Sequence, residues 1–410
     1  MRRVVITGIG AVTCLGNSWG ESWLKLVEGR SGIGRITLFD PAGLPDTAGE
    51  VRGLELKNTT PKEERRMSRY MRFAVAAADE AMHQAGLTSH REEDPFRFGA
   101  LIASGAGGVD EYEKQLEVLN RRGPGGVSAF FVPKFMLNGA SGALAVRYGL
   151  RGPNFSPVSA CASSSHAIGE AMWMIRRGDA DLMLAGGSEA CITKLMMSGF
   201  HSLTALSCYP VPEKACRPFD LDRDGFVLSE GAGILVLEEL EHAKRRGAEI
   251  LAELGGYGAT CDAHHITAPA PKGSGLAEAI RRALETAGCP ADAVDCISAH
   301  GTGTKANDRC EAEAIRAVFG GRTDRIKVSA VKSMIGHALA ASGALSAAAT
   351  VQTLRTGIVP PTINYETPDP ECALDIAAGC AAEIPAETAM SESLGFGGHN
   401  AVLIFKRWKG

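Results

Sequence analysis

No apolar run in this chain approaches the ~18 residues of a membrane span, so the protein is not expected to cross a bilayer. An excess of one charge is missing too. The 43 Lys and Arg nearly balance the 47 Asp and Glu, leaving a formal net charge of −4. That balance exerts no general pull on nucleic acid or a membrane surface, so an electrostatic partner must be met by a local patch. Cysteine is present but unpatterned: 11 scattered residues, with no Cys-x-x-Cys pair and no Cys/His group at zinc spacing. We therefore expect no metal, and free thiols in a reducing, cytoplasmic setting. Gly8-Ile9-Gly10 opens like a dinucleotide-binding turn, but the third glycine of that fingerprint would fall at Thr13. Met1-Arg2-Arg3-Val4-Val5-Ile6 imitates a secretion signal; Gly8 and Gly10 interrupt it and no small-residue cleavage site follows, which predicts a first strand over 3–9.

The chain has 410 residues, 45% of them hydrophobic, enough for two domain-sized units or one large duplicated one. An ordered internal repeat favours duplication. Ala81 to Gly86, a strand at 98–103 and Ser104-Gly105 are echoed by Ala283 to Gly288, a strand at 294–299 and His300-Gly301. Val158-Ser159-Ala160 is echoed by Val328-Ser329-Ala330, and the helices that follow end at Gly178 and Gly357. The chain starts again near 240–255, which predicts two halves, 1–250 and 251–410. Alternating strands and helices in both imply an α/β fold with buried sheets, whose sites gather at the carboxyl ends of strands.

Val158-Ser159-Ala160-Cys161 reads as a strand that ends at Cys161 and turns into a helix running to Arg176-Arg177. A thiol there faces unpaired N–H groups and the positive end of the helix dipole, which favour thiolate. A buried structural cysteine is the competing reading. Two further strand ends carry His300-Gly301-Thr302-Gly303-Thr304 and Lys332-Ser333-Met334-Ile335-Gly336-His337. A protease would pair one His with the Cys and add an orienting Asn or Asp. Two histidines better suit a reaction that makes an enolate, with the Cys carrying an acyl group as a thioester. Near the C-terminus, glycines flank Phe396 in Gly395-Phe396-Gly397-Gly398; a backbone N–H there suits an oxyanion hole, and the ring a gate. A helix is also predicted from Thr60-Pro61-Lys62-Glu63, capped by Thr60 and Glu63, with Lys62, Arg65, Arg66, Arg69 and Arg72 on one face. That stripe is either a solvated face or a dock for an acidic partner.

With these loops in order, the chain resembles the elongating type II β-ketoacyl-acyl carrier protein synthases, acyltransferases with a Cys-His-His site. The resemblance runs from Val4-Val5-Ile6-Thr7-Gly8 to Val402-Leu403-Ile404-Phe405 and includes Arg217-Pro218-Phe219-Asp220 and Asp224-Gly225-Phe226-Val227. It implies a duplicated thiolase fold, layered α-β-α-β-α with two mixed five-stranded sheets, and a decarboxylative Claisen condensation with malonyl-carrier protein in fatty acid elongation. It implies that Cys161 accepts the acyl group, that the N–H groups of Cys161 and Phe396 form the oxyanion hole, and that His300 and His337 drive decarboxylation. Lys332 would tune the site, Thr302 and Thr304 bind pantetheine, Ala106 line the acyl pocket, and Asp308 and Glu311 serve as structural carboxylates. Lys62, Arg65 and Arg66 would dock the acyl carrier protein. No cofactor is implied beyond the carrier's phosphopantetheine, and no nucleic acid or membrane partner. The usual assembly is a homodimer.

Departures from the bacterial fatty-acid branch are specific. Ser346 stands where a Glu is usual, Glu392 and Leu394 replace an Asn and a Phe beside the gate, and Ala106 replaces a bulkier residue. Gly125, Gly126, Cys208 and Tyr209 lie where that branch has further basic docking residues. The alternative is a specialised polyketide or polyene ketosynthase with a dedicated carrier, paired with a chain-length factor. A non-catalytic chain-length subunit would lack Cys161, and a thiolase would carry a second Cys near the C-terminus.

Overall fold

The computed structural model describes residues 1–87 and 94–410. Ten strands form its main sheet: β1 (Val4–Val12), β2 (Phe98–Ala103), β3 (Asn154–Phe155), β4 (Leu182–Glu189), β5 (Gly231–Glu239), β6 (Ala252–Cys261), β7 (Cys296–Ser298), β8 (Lys327–Ser329), β9 (Thr388–Gly395) and β10 (His399–Lys406). Their order is β8-β7-β9-β10-β6-β1-β5-β4-β2-β3. Outward from the β1/β6 junction, both directions pass through two antiparallel and then two parallel pairings. The expected pair of mixed five-stranded sheets is therefore here, joined edge to edge where Val5 pairs with Glu253 and Ile6 with Ala252.

Five helices complete the layers that frame the site: α1 (Arg69–Gln84), α2 (Ser163–Arg177), α3 (Ser274–Ala287), α4 (Lys305–Phe319) and α5 (Ser342–Thr356). Helices α2 and α5 lie between the two sheet halves in one core with Met183, Ala185, Leu403 and Phe405. Such helices have no wet face over most of their length, and α5 is buried all round from Ser342 to Val351, with small residues that admit a strand on either side. Outside, α1 covers one half through Phe73, Ala74 and Met82, and α3 and α4 cover the other through Ile280, Leu284 and Ile315.

The glycines of β1 belong to this packing. A Cβ on Gly10 would lie 1.9 Å from the Ala77 carbonyl oxygen of α1, and one on Gly8 would lie 2.1 Å from that of Ala81. In the second half Gly258 and Gly256 meet the carbonyls of Ala279 and Ala283 on α3 at 2.0 and 2.2 Å. The same bare-strand contact occurs twice, related by the duplication. The Gly8-Ile9-Gly10 pattern thus answers to a helix lying on a strand.

Two expected elements are corrected. The helix from Thr60 is two: Pro61–Glu64, closed by the Thr60/Glu63 capping box, and α1, which starts afresh after Ser68. The strand expected to end at Cys161 is only Asn154–Phe155; residues 156–162 leave the sheet as an irregular turn with Val158 half exposed. Pro157 explains the break, since it has no N–H for a ladder.

Candidate active site

Cys161 sits two residues before α2, at the end of this turn. Ala160 just before it has φ of 51°, the left-handed region that a residue with a Cβ avoids at a cost of about 1–2 kcal/mol. Ser163 holds the strained turn. Its hydroxyl accepts the Ser159 N–H at 2.8 Å and donates to the Ala160 carbonyl at 2.6 Å. This role is invisible in the sequence, because Ser163 lies in a Ser-Ser-Ser run that reads as helix.

The turn aims the sulfur into a cavity of about 570 Å³. Cys161, His300, His337 and Phe396 line it together, with Thr302, Thr304 and Ala106. Met196, Phe200, Phe226 and Leu339 add an apolar wall, and Leu394 lies beside the Phe396 loop. The two imidazoles stand edge to face, centroids 5.3 Å apart, and Phe226 braces the second at the same distance. Nδ1 of His337 shares a hydrogen bond with the Ser342 hydroxyl at 2.9 Å, which leaves Nε2 for the cavity. The Phe396 N–H reaches the Cys161 sulfur.

Carboxylates from α4 brace the histidine loop. Glu311 accepts the His300 and Gly301 N–H groups at 2.5 and 2.8 Å. Asp308 accepts those of Thr302, Gly303 and Phe219 at 3.1, 3.2 and 2.8 Å. Glu189 from β4 does the same for the Ala106 loop, taking the Gly105 and Ala106 N–H groups and the Ser104 hydroxyl. Reasoning from sequence missed Glu189, which stands near no recognisable motif, and Ser342, which follows His337 by five residues.

The electrostatics correct one expectation. The Cys161 thiol is pushed up to about 11, because burial outweighs the nearby Lys332 ammonium and the Phe396 N–H. The unliganded site therefore holds a thiol. Lys332 is buried in the helix Lys332–Ile335 and does not line the cavity; burial pulls it down to about 8, with Glu311 the strongest opposing charge. Burial and the Lys332 charge hold both His300 and His337 well below the usual imidazole range, so both rings are neutral near pH 7.

The docking candidates lie apart from the cavity. Lys62, Arg65 and Arg66 are exposed and form no ion pair with a described residue. The rest of the stripe is spent within the fold: Arg69 pairs with Glu230 and Arg72 with Glu64. Among the described residues no group of acids, His and Cys has the arrangement of a metal site, and no helix is long and apolar enough to cross a membrane.

Known proteins share this chain's sequence and fold along its length. The β-ketoacyl synthase N-terminal domain matches residues 1–243, and its C-terminal domain matches 251–366. A 3-oxoacyl-[acyl-carrier-protein] synthase 2 of Synechocystis is 46% identical over all of this chain and 99% of its own length. The ishigamide ketosynthase/chain length factor structure is 37% identical with a TM-score of 0.92, covering all of both chains. A type II polyketide ketosynthase in complex with its acyl carrier protein has a TM-score of 0.91 at 36% identity, covering 99% of this chain and all of that one. This chain belongs to the β-ketoacyl synthase family.

Proposed function

We propose that this chain is a β-ketoacyl-acyl carrier protein synthase that elongates fatty acids by decarboxylative Claisen condensation. The observation that carries the reading is the meeting of Cys161, His300 and His337 in one cavity, with the Phe396 N–H at the sulfur. The Cys161 sulfur attacks the thioester carbonyl of an acyl-carrier protein. The new C–S bond forms as the carrier's sulfur leaves, taking the thiol proton. The N–H groups of Cys161 and Phe396 hold the oxyanion between. Malonyl-carrier protein then loses carbon dioxide, and the enolate oxygen is held by N–H groups of the two neutral imidazoles. In His337 the Ser342 hydroxyl donates to Nδ1, which keeps the ring proton on Nε2. The enolate carbon attacks the Cys161 thioester, the product leaves as a β-ketoacyl-carrier, and the sulfur regains a proton.

Lys332 tunes these groups through its charge, since it stands outside the cavity. Thr302 and Thr304 bind the pantetheine arm, and their hydroxyls share a 3.0 Å hydrogen bond. Lys62, Arg65 and Arg66 dock the acidic carrier in the cytoplasm. The acyl groups arrive on the carrier's phosphopantetheine and no other cofactor takes part. The chain works as a homodimer through the free edge of β3. Phe155 on that edge and Phe130, Val132, Phe135 and Met136 are exposed, more apolar surface in one region than a monomer usually leaves wet.

A second reading has its own support. The solved structures with polyketide carriers and chain length factors share the whole fold at TM-scores of 0.91 and 0.92. In it the enzyme serves a polyketide or polyene pathway and pairs with a catalytically inactive partner. Mass spectrometry of acyl groups trapped on Cys161 in the native cell separates the two. Saturated chains support fatty acid elongation; conjugated or polyketonic chains, with a Cys-less paralogue co-purifying, support the alternative.

A further inference from the structure

Two carboxyl groups meet in the interior behind the histidine loop. Glu311 projects from α4 and Glu392 from β9, and both are fully buried. Glu311 accepts from the His300 N–H, the Gly301 N–H and Nδ2 of Asn307, the last at 3.3 Å. A group that takes three donors is a carboxylate. Glu392 is its opposite. Neither of its oxygens meets a donor among the described residues, and the polar group it faces is the Glu311 carboxyl. Its neighbours along the same strand face, Met390 and Leu394, pack into the apolar core with α3 and α4.

An ionised Glu392 would set a second anion against the first in a hydrocarbon wall. Two like charges in contact there do not both persist, and one keeps its proton. Glu311 is committed to its N–H donors, so the proton belongs to Glu392, and the acceptor its O–H faces is a Glu311 oxygen. Burial and the Glu311 charge both push Glu392 well above the ordinary carboxyl range. The other charged groups around the pair act on Glu311. Asp308, which takes the Thr302–Gly303 turn and lies 3.6 Å from Arg223, repels it, Lys332 attracts it, and His300 is neutral.

We infer that Glu392 is a positioning residue: as a neutral acid it donates its O–H to Glu311 and fixes the carboxylate from which the His300–Gly301 turn is hung. It does not touch the substrate. The functional part of this inference rests on His300 holding the enolate.

Infrared difference spectroscopy on the full chain at about pH 8 reads the proton itself. The wild-type minus Glu392→Gln spectrum is expected to carry a protonated-carboxyl C=O band, above the carboxylate bands. Absence of that band overturns the proposal. The kinetic arm measures malonyl-carrier decarboxylation in a Cys161→Ala background. Glu392→Gln keeps a donor and is expected to slow the reaction about threefold; Glu392→Met fills the space without one and slows it about thirtyfold. The parent enzyme also loses rate at high pH as the acid ionises against Glu311, beyond any change from deprotonation of Lys332, and Glu392→Gln lacks only that extra loss. Equal losses in the Gln and Met variants with identical pH profiles mark a packing role and overturn the proposal. A His300→Ala enzyme that decarboxylates normally refutes the role of His300 instead, and the infrared band still decides the state of Glu392.

Discussion

Alkylation of Cys161 pits burial against the mouth of α2. Burial takes the thiol to about 11 even with Lys332 and the Phe396 N–H pulling the other way. A helix N-terminus contributes at most ~2 kcal/mol, which is about one and a half powers of ten in ionisation. Granting all of it leaves the thiol no easier to ionise than an ordinary cysteine. At pH 7 fewer than about one sulfur in a hundred is then thiolate. The iodoacetamide rate at Cys161 is expected to climb nearly tenfold per pH unit from about pH 7 to about pH 9. Timed alkylation followed by peptide mass spectrometry measures it, with exposed Cys208, Cys261 and Cys380 as references in the same chain. A plateau already reached below about pH 8 would refute the reasoning, because the helix mouth and the ammonium would then outrank desolvation.

Lys332→Met is expected to slow that alkylation further below pH 8 and to erase any change of slope near it, since wild-type Lys332 is charged below about 8 and loses its proton above; an unchanged profile refutes its electrostatic role. Gly10→Ala and Gly258→Ala should each cost about 2–4 kcal/mol in urea denaturation, because a Cβ meets backbone oxygen at 1.9 and 2.0 Å. A near-neutral result at either would contradict the close helix–strand contact there. Reversing charge at Arg65 and Arg66 should weaken carrier binding in calorimetry at low salt, with the difference shrinking as salt rises. Equal affinity at low salt removes the docking assignment.

Much of the fold was legible because its signals are local. The buried strand Phe98–Ala103 reads as an apolar run closed by Ser104-Gly105, and the repeat points to the duplication. The break at Ser68 was not legible, since Met67 and Tyr70 keep helical spacing across it. Nor was the early end of the strand before Cys161, where a strained turn held by Ser163 takes over. The site was legible as three loops because strand-end glycines and histidines stand out. Two of the groups that brace those loops come from distant elements: Glu189 on β4 and Glu392 on β9. Their partners are set by the fold, so spacing along the chain carries no trace of them. The state of the thiol escaped for the same reason. Helix position can be read from sequence, but the depth of burial that outweighs it cannot.

The sulfur and the two imidazoles divide the labour, and one variant separates them. Cys161→Ala should lose condensation entirely while still releasing carbon dioxide from malonyl-carrier protein, which labelled malonyl substrate measures directly. The rate should stay flat from about pH 8 down to about pH 6, because both histidines remain neutral until the pH falls through their depressed values. Loss of decarboxylation together with condensation, or a rate that collapses as an ordinary imidazole protonates near pH 6.5, would contradict it.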